Sequence, residues 1–253
     1  MKLNTDTKKY VAVLGLVILA ASAIGFVNKS VDERVCKDIV INIQEEYDNF
    51  FVDHNDILAL MTVDNNQVIV GTPIAHIDLK ELENRVRSNP FVNSVEVYRD
   101  MKGYIMADIT LRKPVLRILN SNGPDAYVDK SGTVFPTSTH FTSRVILLDG
   151  EGAEALIKDG FNNDKGRELL EMIDHVNNHP MWSKQITQIT IEKDNEMIMW
   201  PQITKQYIEF GTIDEYEKKF KKLEIFYRDI LPRKGWNSYE KVNLKYKDQI
   251  VAD

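Results

Sequence analysis

Of the five histidines (His54, His76, His140, His175 and His179), only His175 and His179 stand four residues apart. On a helix that spacing sets two imidazoles on one face, the arrangement in which they ligate zinc. A zinc hydrolase of this type also places a glutamate between them as its base. Here Val176, Asn177 and Asn178 fill the interval, and Pro180 frays the turn that carries the second histidine. The pair is read as solvated imidazoles at a helix end, a position that suits the helix dipole.

Other chemistry is sparser still. The chain has neither a nucleophile elbow nor a phosphate-cradling glycine loop. Its carboxylates fall on outward faces or in turns, as Asp129 does before a hairpin. Trp182, Trp200 and Trp236 are read as core or interface residues. Lys218, Lys219, Lys221 and Lys222 interleave with the core positions of one helix and form a solvated face. Cys36 is the single cysteine, so no intramolecular disulfide exists, and it is read as a buried residue of a first strand. The sequence therefore predicts no catalytic residue, no cofactor, no metal and no enzyme.

Charge narrows the partners. The net charge of −6 is split unevenly, because the first 27 residues carry +2 (Lys2, Lys8 and Lys9 against Asp6) and the remaining residues carry −8. Nucleic-acid binding needs clustered lysine and arginine to displace counterions, and the net acidic charge of this body argues against it. Adhesion to an anionic membrane surface is excluded on the same ground.

The elements that would position any site begin with an uncharged run, Tyr10–Val27. At about 1.5 Å per residue an 18-residue helix spans roughly 27 Å, close to the hydrocarbon thickness of a bilayer. Lysines before the run orient the N-terminus inward and the body outward. Ala21-Ser22-Ala23 matches a signal-peptidase site, whereas Ile24–Val27 keeps the segment apolar beyond it. Anchor and cleaved signal both remain open on these residues.

Residues 28–35 read as a polar linker. Ile39, Ile41 and Ile43 alternate as in a half-buried strand. Asp53 caps a helix through Ile57, Leu58 and Met61, and Asp78 caps a second with Leu82 and Val86 inward and Pro90 at its end. The runs Phe91–Arg99 and Tyr104–Arg112 alternate on either side of the turn at Asp100–Gly103. Strand, helix, helix, strand, strand in about 75 residues makes a small α+β unit.

After Pro114 come short strands at 115–119, 126–129, 133–135 and 144–148, then a helix over 164–177. A hairpin spans 186–191 and 196–200, and a strand follows at 206–211. Thr212-Ile-Asp-Glu215 has a capping-box pattern, and Ile213, Tyr216, Phe220, Leu223, Tyr227 and Ile230 give the helix behind it an unbroken apolar face before Pro232 and Gly235. A closing strand alternates Val242, Leu244 and Tyr246 with Asn243, Lys245 and Lys247. Such a strand at a sheet edge can accept another chain, with Lys245 and Lys247 discouraging indiscriminate pairing. A fully paired strand with no visitor is the alternative.

This order of elements, with several local motifs, resembles the FtsQ/DivIB cell-division proteins, and most nearly their Bacteroidota branch. The motifs are Asn89-Pro90-Phe91-Val92-Asn93-Ser94-Val95, Leu111-Arg-Lys-Pro114-Val, Tyr127-Val-Asp-Lys-Ser-Gly-Thr-Val-Phe135, Ile208-Glu-Phe-Gly211 and Val242-Asn-Leu-Lys-Tyr246. The resemblance implies an α+β fold: a cytoplasmic tail (1–9), one transmembrane helix (10–27), a linker (28–35), a POTRA-like βααββ domain (36–113) and a β-rich C-terminal domain with long helices (114–253). It implies a bitopic scaffold of the divisome in the cytoplasmic (inner) membrane, N-terminus in and body in the periplasm. Its implied partners are FtsB and FtsL among other division proteins, with FtsB adding a strand beside the last one. Leu244, Lys245, Tyr246, Lys247 and Ile250 are then the expected contact residues, Tyr246 by motif, although Lys247-Asp-Gln-Ile-Val-Ala-Asp departs from the better-known relatives. The resemblance also favours the anchor over the signal. Two rival functions remain: a periplasmic POTRA-type chaperone or translocation factor, and a secreted hydrolase released by cleavage.

Overall fold

The computed structural model describes residues 14–19, 22, 34–44, 50–63, 68–247 and 249–253. Within the run Tyr10–Val27, residues 14–19 and Ser22 are helical, and Leu16 and Leu19 are largely exposed. The rest of that run, the tail 1–9 and the linker through residue 33 lie outside the described residues. Among the described residues no helix is long and apolar enough to cross a membrane. Contacts divide the chain into two units, residues 1–45 with 52–111 and residues 46–51 with 112–253.

In the first unit, β1 (Asp38–Gln44) is followed by helices α1 (His54–Thr62) and α2 (Leu79–Arg87), then by β2 (Val92–Arg99) and β3 (Tyr104–Leu111). The sheet order is β1-β3-β2, with β1 parallel and β2 antiparallel to the central strand. Alternation sets the burial: Ile105, Ala107 and Ile109 of β3 are fully buried, each large aliphatic side chain contributing about 1.5–3 kcal/mol. Both helix starts are chemically defined. Asp53 Oδ1 accepts from Asp56 N at 2.9 Å while Asp56 Oδ2 accepts from Asp53 N at 3.0 Å, a reciprocal box. Asp78 Oδ1 accepts from Glu81 N at 3.0 Å. Cys36 is buried just ahead of β1, and burial pushes its thiol pKa up.

The second unit holds β4 (Pro114–Ile118), β5 (Ala126–Asp129), β6 (Val134–Pro136), β7 (Ile146–Asp149), α3 (Glu151–Asp159), α4 (Asp164–Asn178), the single turn α5 (Trp182–Gln185) and β8 (Ile186–Ile191). After these come β9 (Met197–Pro201), β10 (Tyr207–Gly211), α6 (Tyr216–Ile225), a π-helical turn at Phe226–Ile230, α7 (Leu231–Lys234), β11 (Lys241–Asn243) and β12 (Val251–Ala252). Nine strands form one sheet in the order β12-β11-β10-β9-β8-β7-β4-β5-β6. Because β7 and β8 are parallel, the chain must return across the sheet between them, and α3 and α4 make that return. Met172, Ile173, Trp182, Phe220, Leu223 and Phe226 from the helical layer pack with Leu148, Ile189, Met199, Ile208 and Phe210 of the strands into the main core.

Three expectations change in this unit. No capping box opens α6: Glu215 sits at φ 54 in the left-handed region, and the Thr212 hydroxyl donates to Asp214 Oδ2 at 2.8 Å. The long helix also does not keep one register. Pro232 has no N–H for the carbonyl four residues earlier, and the turn before it widens to π, bringing both Phe226 and Tyr227 inside. Finally, α3 occupies a stretch for which the sequence suggested no element.

Candidate functional site

The far end of the nine-stranded sheet is built from β10, β11 and β12 with α6 beside them. Tyr207, Ile208 and Glu209 of β10 pair in parallel with Lys241, Val242 and Asn243 of β11. The expected strand stops sooner than its alternation suggests. Asn243 Oδ1 accepts from Lys245 N at 2.9 Å, an Asx turn that bends the backbone. Leu244 N still donates to the Glu209 carbonyl at 2.9 Å, so the chain follows β10 for one more residue before it leaves.

The outer side of β11 is then covered by the chain itself. Ala252 pairs with Val242 and Val251 with Asn243 in antiparallel register. Asp253 N donates to Lys241 O at 3.3 Å and Lys241 N donates to Asp253 O at 3.1 Å. Since Asp253 faces β11, the alternation of a strand turns the N–H and C=O of Ala252 to the other side. The last backbone edge of the sheet is therefore β12, not the strand at 242–247.

The five expected contact residues separate by position. Leu244 is fully buried in the core and Ile250 packs half-buried against it. Lys245 is exposed and ion-paired with Glu196, whose carboxylate raises the lysine pKa. Tyr246 is 51% exposed, and Lys247 is exposed. Two lysines of α6 act as struts here, Lys222 on this segment and Lys219 on the end of β10. Lys222 Nζ donates to the carbonyls of Leu244 at 3.2 Å and Tyr246 at 2.6 Å. Lys219 Nζ donates to Thr212 O at 2.6 Å and lies 5.1 Å from the centre of the Phe210 ring, and its burial lowers its pKa. The lysine cluster is thus a set of struts as well as a solvated face. Its regular i, i+3 spacing was the one sequence signal that could have shown this.

The candidates for chemistry fare differently from their sequence reading. His175 is half-buried, with its ring centre 5.3 Å from Phe220 and 5.6 Å from Tyr216. His179 stacks on Trp182 at 5.6 Å, and its Nδ1 faces Met181 N and Trp182 N, both at 3.3 Å. These imidazoles belong to an aromatic cluster and are not simply solvated. Among the described residues no group of three or more His, Cys, Asp or Glu is placed to hold a metal. Asp129, expected in an open turn, is buried: Oδ2 accepts from Arg112 Nη1 at 2.7 Å, and Oδ1 accepts from Ser131 N at 2.9 Å and Thr133 N at 3.0 Å. It ties the start of this unit to its first hairpin.

At this end of the sheet Ala252 turns its backbone groups outward, and in the chain between β11 and β12 Tyr246 is half-exposed and Lys247 exposed.

Comparison with known proteins adds two families. The family described as FtsQ/DivIB, C-terminal related, matches residues 113–253. One described as a POTRA-like domain matches residues 34–110. Among curated proteins, the chain is similar to the cell division protein FtsQ of Geotalea daltonii, at 22% identity over 221 residues that cover 80% of this chain and 75% of the relative.

Proposed function

We propose that this chain, which belongs to the FtsQ/DivIB family, works as a bitopic divisome scaffold that captures FtsB and FtsL at the β12 end of its sheet. The family supports a role in cell division as a non-catalytic scaffold. In this reading the uncharged run 10–27 anchors the protein in the cytoplasmic membrane, the tail 1–9 stays inside, and the domains at 36–113 and 114–253 face the periplasm. A strand of FtsB pairs with the outward N–H and C=O of Ala252, while Tyr246, Lys247 and Val251 give selectivity beside it. Leu244 and Ile250 take no direct part, since they serve the core.

The observation that carries this reading is the register at the sheet end. It leaves the final strand of the order with an outward-facing residue, and exposed apolar side chains stand on that strand (Val251, 41%) and on the loop leading to it (Tyr246, 51%). Ala252→Pro is the direct test. It deletes the outward N–H and leaves the Lys241–Asp253 pairing in place, because proline is tolerated on an edge when its missing donor faces outward. With the full chain in membranes, capture of FtsB/FtsL should fall at least about tenfold for Ala252→Pro and for Tyr246→Glu, a loss of about 1.4 kcal/mol. Capture equal to wild type in both would move the site elsewhere.

A further inference from the structure

The first unit has an edge of its own. Among the described residues strand β1 pairs with β3 on one side only, and on its other side two backbone groups are met by side chains. His54 Nε2 lies 3.1 Å from the Ile41 carbonyl, and Ile39 N donates to Asp38 Oδ1 at 2.8 Å. Alternate residues of a strand direct their backbone groups to the same side, so Ile39 and Ile41 both point away from β3. The two side-chain contacts stand where a neighbouring strand's backbone would be.

The chain already uses the adjoining part of this edge. Cys36 N donates to Thr72 O at 2.8 Å, Gly71 N to Cys36 O at 2.7 Å and Ile74 N to Arg34 O at 2.9 Å, around an antiparallel bridge between Val35 and Pro73. Gly71, at φ 87, then turns the chain off the edge. A groove of about 480 Å³ opens there between β1 and α1, lined by Ile39, Ile41, Leu58, Val68 and Val70, with Asp38 as its one carboxylate among the described residues. Val68 is 76% exposed and Val70 47% exposed, so the groove's apolar wall faces water.

We infer that the outer edge of β1 at Ile39 and Ile41 is a docking site for an extended segment of a partner protein. The segment runs antiparallel to β1, carries β-branched residues at alternate positions and places a lysine or arginine opposite Asp38. Three features fix that occupant. The antiparallel bridge at Val35 and Pro73 sets the direction, because a visiting strand continues it along the same edge. The groove beside Ile39 and Ile41 takes alternate apolar side chains, while the backbone groups supply affinity. Asp38 supplies charge complementarity at one end. His54 covers the Ile41 carbonyl in the meantime, a polar guard against indiscriminate pairing.

The test uses the full chain in detergent and a defined probe: a capped heptapeptide alternating valine and threonine, with a terminal lysine. Its partner is the same peptide N-methylated on the amides of one edge. The unmodified peptide should bind and slow amide exchange at Ile39–Ile41, and Ile41→Pro, which removes an outward N–H, should weaken it at least about tenfold. Asp38→Asn should weaken it severalfold. N-methylation should weaken binding to the wild-type chain as much as Ile41→Pro does, a measurement that needs no altered protein. Equal binding by the methylated peptide, or no binding of the unmodified one at about 1 mM, which corresponds to roughly −4 kcal/mol, overturns the assignment.

Discussion

Lys222 Nζ reaches out of α6 to the carbonyl of Tyr246 at 2.6 Å, so a helix holds the loop that presents the exposed tyrosine, beyond the bend that Asn243 sets. The same ammonium donates to Leu244 O at 3.2 Å. Lys222→Met keeps the aliphatic stem and removes both bonds. Hydrogen bonds to a charged group are worth about 1.5–3 kcal/mol each at most, and here they hold a loop more than the core. Amide exchange across residues 244–247 should rise at least about tenfold, the factor that about 1.4 kcal/mol produces. Global stability should change little, and capture of division partners should weaken with the loop. Unchanged exchange would mean that Asn243 alone sets the bend.

Asp129 and Arg112 give the second prediction. Asp129→Ala removes one acceptor of the Arg112 guanidinium and the side-chain acceptor shared by the amides of Ser131 and Thr133. Breaking a buried pair from one side costs about 3–5 kcal/mol, and Arg112 keeps some access to water, so about 3 kcal/mol is expected. Trp182, Trp200 and Trp236 all lie in the second unit. Denaturant unfolding followed by tryptophan fluorescence therefore reads this unit directly. The midpoint should drop without a change in slope.

The same residues show what a sequence displays and what it hides. The alternation of Ile105, Ala107, Ile109 and Leu111, and the Asp53 and Asp78 caps, are local signals, and each element formed where those signals stand. The burial of Asp129 depends on an arginine 17 residues away, which no local pattern marks. Helix α3 was hidden by its own glycines. Gly152 lies inside it because a Cβ there would come 2.5 Å from the Glu192 carbonyl, so close packing overrode helix propensity. At the candidate site, Val242, Leu244 and Tyr246 alternate like a strand, but the Asx turn at Asn243 ends it. Two-residue β12 is too short to leave any periodicity. The family resemblance pointed to 242–247, and the register puts the outward backbone groups at that end of the sheet on Ala252.

Gly150 tests that packing argument from another position. It joins β7 to α3 at φ 92, and a Cβ built there would lie 2.4 Å from the Ile191 carbonyl. Backbone strain at positive φ costs about 1–3 kcal/mol, and the collision with a backbone atom of β8 adds to it. Gly150→Ala should destabilise the second unit by more than about 2 kcal/mol in the same fluorescence assay, with β8 amides exchanging faster. A midpoint within error of wild type would show that the β7–α3 corner can relax.

Tyr227 and Lys219 predict how stability bends at high pH. Burial raises the Tyr227 pKa, against the weaker pull of Thr204, whose Oγ1 lies 3.4 Å from the phenol oxygen. A folded pKa above the unfolded value of about 10 means the contribution is complete below that pH and is lost as pH rises through the folded pKa. Lys219 acts with the opposite sign. Burial lowers its folded pKa, so the cost of burying the ammonium is relieved as pH climbs from that value towards about 10.4. Stability of the second unit should therefore fall above about pH 10, less steeply than the tyrosine alone dictates. Tyr227→Phe should make the fall shallower without abolishing it, because burial raises Tyr216 as well. Lys219→Met should make it steeper, since the compensating relief is gone. Denaturant midpoints measured from about pH 9 to 11 decide the matter: parallel curves for all three proteins would remove both groups from the alkaline response.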